Sequence, residues 1–204
     1  YIRSLIRKGT LEIGAPVKEA VLSEQLGISR APIREALQVL VQEGLITSEP
    51  QKGKHVRQMT GKEIYDSYVV AGILEGAGVA ESLPLWTEAN METFRSVVRQ
   101  MEGKISYATK LDELAEIDEL FHATLFMACD NTRLVEMART SCATISKYLY
   151  YQHWITMFTP REYADRHHAV AEAVYSRDVK HVETALRDHY KETGLRMAQF
   201  GKEA

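Results

Sequence analysis

The sequence predicts a mainly α-helical protein, with an N-terminal winged helix-turn-helix of three helices and a small β-hairpin, then an all-helical bundle of about six helices. Three observations predict it. Glycines, prolines and two short strand-like runs crowd into residues 1–59, whereas every segment from Thr60 onward has helical periodicity. Charge divides at the same place. Residues 1–59 hold nine Lys or Arg and six Glu, a balance of +3; subtracting them from the totals of 25 and 28 leaves 16 bases and 22 acids in 60–204, or −6. The composition, 45% hydrophobic and 26% charged, is that of a globular protein able to bury a core without staples. The domains are therefore placed at 1–59 and 60–204, a basic module suited to DNA on an acidic body.

The first segment, 1–8, opens inside a helical pattern, so residues are expected to precede it. Gly9, Gly14 and Pro16 then interrupt the helical pattern. A second helix is predicted over 18–26, with Val21, Leu22 and Leu26 on one face and Gly27 as its stop. Ser29 is a suitable N-cap for the third helix, and Pro32 is tolerated in its first turn, where N–H groups lack intrahelical partners. Ile33, Leu37, Leu40 and Val41 form its core stripe, and Gly44 ends it. Strands are predicted at 45–48 and 55–58, around the turn 50–53.

Thr60 with Glu63 three residues on reads as a capping box. Helices are expected at 61–83, 87–107, 111–129, 131–157, 160–176 and 178–200, separated by Pro84, the polar stretch near Thr109, Asp130-Asn131, Thr159-Pro160 and Arg177-Asp178. Asn131 is expected to cap the helix after it. Cys129 and Cys142 have no ligand-like spacing, which argues against a disulfide scaffold or a cysteine zinc site and suits a reducing cytoplasm. No signal-peptide pattern is evident and no apolar run approaches the roughly 18 residues of a membrane span, so no membrane partner is expected.

Two helices joined by a tight glycine turn, then a hairpin, form the winged helix-turn-helix plan, whose second helix enters the major groove by its N-terminal end. Arg30 and Arg34 are four residues apart and share a helix face there. Arginine can grip a guanine edge or a phosphate with two prongs. By spacing alone the pair equally fits solvated charges on an amphipathic helix. The stretch EAVLSEQLGISRAPIREAL over 19–37, with EGLI at 43–46, resembles the signature of the GntR family. The resemblance implies that Ser29, Arg30 and Arg34 touch DNA and that the wing glycine, Gly53 beside Lys52, enters the minor groove. Ala20 stands where some relatives place a DNA-contacting arginine. Glu19, Leu22 and Leu37 read as scaffold.

A helical domain behind such a head resembles the FadR-type group, with the domain called FCD; its length is more like the shorter VanR-like branch. The segment DELFH at 118–122, followed by Asn131, carries this resemblance. Members with this pattern hold a metal ion by one aspartate and three histidines, which implies Asp118, His122, His167 and His189 here. Local chemistry agrees: Asp118 and His122, at i and i+4, share one helix face. Three imidazoles and a carboxylate suit a divalent metal ion such as zinc, nickel, iron or manganese and leave coordination positions open. Any one of these histidines alone fits a surface or core residue as well. His168 points about 100° from His167 and is excluded. His153 belongs to an aromatic cluster, 150–154, that suits core or dimer surface. Ala71 stands near the place of an arginine in the family's first domain helix.

These readings imply a ligand-responsive repressor or activator of a catabolic operon. It would be a cytoplasmic homodimer on a palindromic double-stranded DNA operator, with a small carboxylate effector at the metal. Two alternatives stay open at this point. A histidine-rich metal site could activate water in a hydrolase, although no His-Glu-x-x-His motif or nucleophile beside a histidine accompanies it. The metal could also be purely structural in a DNA-binding protein.

Overall fold

The computed structural model of the chain describes residues 1–203. Helix α1 spans Ile2–Arg7, α2 Glu19–Leu26 and α3 Arg30–Gln42, followed by the strands β1, Ile46–Glu49, and β2, Gly53–Val56. Gly27 ends α2 at φ 64, the left-handed conformation that lets its N–H bond back to Glu24 and Ser23 and turns the chain into α3. Leu22 alone of α2 is buried; Val21 and Leu26, expected beside it, are exposed. On α3, Ile33, Leu37 and Leu40 are buried and Val41 is half-buried.

The strands pair antiparallel in the register Ile46↔Val56 to Glu49↔Gly53, so β2 starts two residues before its predicted place. The outer edge of β2 is not bare. Val17 N–H donates to the Lys54 carbonyl at 2.8 Å and Val56 N–H to the Ala15 carbonyl at 2.9 Å, which covers an edge that would otherwise invite pairing.

The remainder is helical: α4 Gly61–Ser82, α5 Glu88–Ile105, α6 Ala115–Leu125, α7 Thr132–Ser141, α8 Tyr151–Trp154, α9 Pro160–Ser176 and α10 Val179–Ala198. The capping box at Thr60 and Glu63 forms, and Asn131 accepts a bond from Leu134 N–H at 3.1 Å to cap α7. The helix expected at 111–129 begins as a 3₁₀ turn, Leu111–Leu114. The helix expected at 131–157 is broken: after α7 comes a π-helical turn, Ile145–Leu149, and then the short α8. Tertiary contacts decide that break. Ile145, Leu149 and Tyr150 turn into the core under the N-terminal helices, and the Tyr150 hydroxyl bonds both the N–H and the carbonyl of Met59. A straight helix could not deliver all three there.

Two cores result. One fills the helical bundle around Phe94, Phe121 and Val174. The other runs from Ile6 and Leu37 in the head through Met59 to Ile64, Tyr68, Tyr150 and Met197, so it crosses the junction. Helix α4 lies between α7 and α10. The stretch Gly61–Leu85, α4 with the turn after it, is long and apolar enough to cross a membrane, its most apolar 18 residues having mean hydropathy 1.2, but half of those are buried in the protein. Gly72 allows α10 to approach closely: an added Cβ would lie 2.9 Å from Tyr190 Cβ.

Candidate metal centre and nucleic-acid interface

The N-terminal end of α3 is exposed, and with it Ser29, Arg30 and Arg34. Ser29 occupies the N-cap position in extended conformation, but its side chain makes no capping bond, contrary to the expected cap. Arg34, 69% exposed, pairs with Glu19 at 3.3 Å, and the same carboxylate holds Lys54 on β2 at 3.1 Å. Glu19 therefore braces the recognition helix against the wing, and these cations hold its carboxyl below the usual range, Lys54 first. At the wing tip Lys52 pairs with Glu49 at 2.7 Å, and Gly53 takes φ +86.

The four residues proposed as metal ligands come from three helices: Asp118 and His122 on α6, His167 on α9, His189 on α10. The candidate ligand atoms of the three histidines lie within 4.8 Å of one another. Asp118 Oδ1 is 3.1 Å from His167 Nε2 and 3.9 Å from His122 Nε2. Two ligands about 2.1 Å from one tetrahedral ion sit roughly 3.4 Å apart, so these separations straddle the requirement.

Proton placement tests whether a cation fits. The carbonyl of Tyr163 can only accept, so His167 Nδ1–H must donate to it, at 2.8 Å. A neutral His167 then points the bare lone pair of Nε2 at the Asp118 carboxylate. Two acceptors at 3.1 Å call for a positive charge between them, either a proton or a metal ion. His122 repeats the pattern, with Nδ1 2.6 Å from Glu75 Oε1 and Nε2 toward Asp118. On His189, Nδ1 is buried with no hydrogen-bond partner. The donor set fits a divalent ion.

The titrations of His167 and His189 agree. Burial lowers His167, only partly offset by Asp118, and burial with the nearby Arg166 charge drives His189 well below its ordinary value, so both stay neutral as ligands must. Burial also opposes charge on His122, but the Glu75 and Asp118 carboxylates outweigh it and push it up to about 9. Asp118 stays ionised below its ordinary range: burial works against that, but the His167 bond and the His122 charge prevail.

Asp118, His122 and His189 line a cavity of about 850 Å³ together with Arg166 and Lys147, while His167 is buried beside Asp118. Arg166 donates to Glu192 at 2.8 Å, to Thr193 and to the His189 carbonyl, and lies over Phe158. Arg7 of the head also reaches the cavity, bonding the Tyr151 hydroxyl at 2.6 Å. His168 faces Glu102, away from the group, as expected. His153 stacks on Phe200 at 4.0 Å outside the cavity, although its neighbours Tyr151 and Trp154 line it. The sequence reading missed Glu75, Tyr190 and Arg166. The signal for Glu75 was a lone acid inside the apolar run of α4.

Residues 1–56 match the family of bacterial regulatory proteins called gntR, and residues 66–192 match the FCD domain. The chain is a GntR-family regulator with an FCD domain. The HTH-type transcriptional repressor RspR of Escherichia coli is 26% identical over 93% of this regulator and 82% of that protein. The gluconate operon transcriptional repressor of Bacillus subtilis is 30% identical over 64% of it and 53% of that protein. The solved structure of McbR/YncC from E. coli superposes with a TM-score of 0.72 at 19% identity, covering 97% of this chain and 93% of that one. Family membership makes this regulator a DNA-binding protein and not an enzyme, which removes the hydrolase alternative.

Proposed function

We propose that this regulator represses a catabolic operon and is released from its operator by a small carboxylate that binds at a metal ion in the helical domain. The observation that carries the reading is that the candidate ligand atoms of His122, His167 and His189 lie within 4.8 Å of one another, with Asp118 Oδ1 3.1 Å from His167 Nε2, beside a cavity of about 850 Å³. A divalent ion held by these four residues, whether zinc, nickel, iron or manganese, supplies positive charge and open coordination positions for a carboxylate such as a hydroxy acid or sugar acid. Arg166 and Lys147 add cations to the same cavity and compensate for the absence of arginine at Ala71. The kinship with a gluconate operon repressor is in keeping with this, and kinship with two repressors favours repression over activation. By length the FCD domain belongs to the VanR-like branch.

Labour divides between residues 1–59, which read DNA, and 60–204, which bind effector and dimerise. Ser29, Arg30, Arg34, Lys52 and Gly53 make the DNA contacts. A single recognition helix reads few base pairs, so a homodimer on a palindromic operator in the cytoplasm is required. Val70 and Ile73, exposed on α4, offer a second copy an apolar face.

A thermal-shift screen of small carboxylates with metal-loaded and metal-stripped protein tests the effector site. Stabilisation confined to the loaded form is the expected result. Stabilisation that survives stripping places the effector elsewhere, and no response from any acid leaves the metal structural. Operator binding with and without the selected acid, and sedimentation at micromolar protein, test release and dimerisation.

A further inference from the structure

We infer that Glu75 is the positioning residue of the metal centre: its carboxylate takes the Nδ1 proton of His122 in a hydrogen bond and thereby turns Nε2 of that ring into the ligand. The inference rests on the metal-site reading of Asp118, His122, His167 and His189 and adds to it a residue from α4, a helix that contributes no ligand.

The geometry begins in small residues. Gly72 and Gly76 bracket Glu75, and both face α10, where an added Cβ would meet Tyr190 Cβ at 2.9 Å and Glu183 O at 3.4 Å. This close approach buries Glu75, which is only 3% exposed. A buried carboxylate needs partners for both oxygens. Oε1 lies 2.6 Å from His122 Nδ1 and Oε2 accepts from the Tyr190 hydroxyl at 2.7 Å. Glu75 thus has its orientation set by α10 and its hydrogen-bonding capacity directed at one imidazole on α6. The consequence is chemical as well as steric. A carboxylate behind a ligating histidine selects the tautomer with Nδ1–H and makes the opposite nitrogen a better donor.

The three imidazoles are held unequally. His167 donates Nδ1–H to a main-chain carbonyl, His189 Nδ1 has no partner, and His122 alone is backed by an anion. His122 should therefore be the strongest donor of the three, with Glu75 as the reason.

Cobalt(II) titration of metal-stripped protein, read by its visible ligand-field bands and by competition with a chromophoric chelator, tests this. Wild type should bind one ion. The nearly isosteric Glu75→Gln variant should bind one ion with an unchanged band pattern but roughly 10–100-fold more weakly. His122→Ala should change the bands themselves, because a ligand is lost. Tyr190→Phe should weaken binding less than Glu75→Gln. Glu75→Gln binding as tightly as wild type, with His122→Ala impaired, overturns the inference and leaves the metal site standing. Absence of binding in wild type overturns both. If Glu75→Gln fails to fold, nitrogen-15 spectra of zinc-loaded wild type still decide. A His122 ring protonated at Nδ1 and coordinated through Nε2 is required; coordination through Nδ1 overturns the inference.

Discussion

The head and the helical body place their functional side chains in opposite surroundings. In the head, Ser29, Arg30 and Arg34 stand exposed at the start of one helix, within a few residues of one another. The one ion pair among them, Arg34 with Glu19, lies at the surface, and such pairs contribute only about 0–1 kcal/mol. It can be exchanged for phosphate at little cost. In the body, Asp118, His122, His167 and His189 come from three helices and converge beside a cavity, where burial and neighbouring charge shift every one of them. On the proposed reading, a surface that meets a polyanion keeps its charges in water, whereas a centre that holds one ion withdraws them from it.

The two regions nevertheless share a core, and this can be broken first. Leu37 is fully buried in the cluster that runs from the head through Met59 to Tyr150 and Met197. Leu37→Ala should destabilise by about 2–5 kcal/mol. If the shared core couples the regions, calorimetry of the variant will show the head and the junction unfolding together. Separate transitions for residues 1–59 and the rest would show instead that the regions are energetically independent.

Removal of two ligands comes next. The variant His122→Ala, His189→Ala should lose its ion, and with it the stabilisation that metal confers on wild type, about 2.7 kcal/mol at 100 times the dissociation constant. Elemental analysis of untagged protein and melting with and without chelator measure both. Wild-type stoichiometry in the double variant would rule out this ligand set.

Arg30→Ala and Arg34→Ala should each cost roughly 1–3 kcal/mol of specific operator affinity while leaving the melting temperature nearly unchanged, because neither side chain supports the core. Binding measured across a salt series checks this. Undiminished operator affinity in the folded double variant would mean that another surface reads the DNA.

The smallest expected effect is acid sensitivity at the junction. The Thr60 N–H bond, with help from the Thr60 hydroxyl and Arg57, holds the Glu63 carboxyl below its ordinary 4.5. A depressed folded pKa means that the stabilisation is fully present above about 4.5 and is lost as pH falls through the folded value. Glu63 is half exposed, so screening keeps the effect under about 1 kcal/mol. Urea midpoints between pH 6 and 3 should fall less in Glu63→Gln than in wild type.

Much of the head was legible because its determinants are local. The Gly27 turn, the stripe Ile33, Leu37 and Leu40 and the exposed arginines all derive from spacing within one helix, a relation of a few residues that periodicity reads directly. So does the pairing of Asp118 with His122. The convergence of His167 and His189 on that pair came from likeness to a family pattern, since no local rule links positions 45 and 67 residues beyond His122. The broken helix at 142–150, the bond from Tyr150 to Met59 and the Glu75 carboxylate behind His122 were decided by tertiary structure alone. Each depends on which remote surface a side chain meets when two cores close. The free energy of burying Tyr150 or satisfying Glu75 exists only once those surfaces are in contact, and outweighs the weak local preference that periodicity reports.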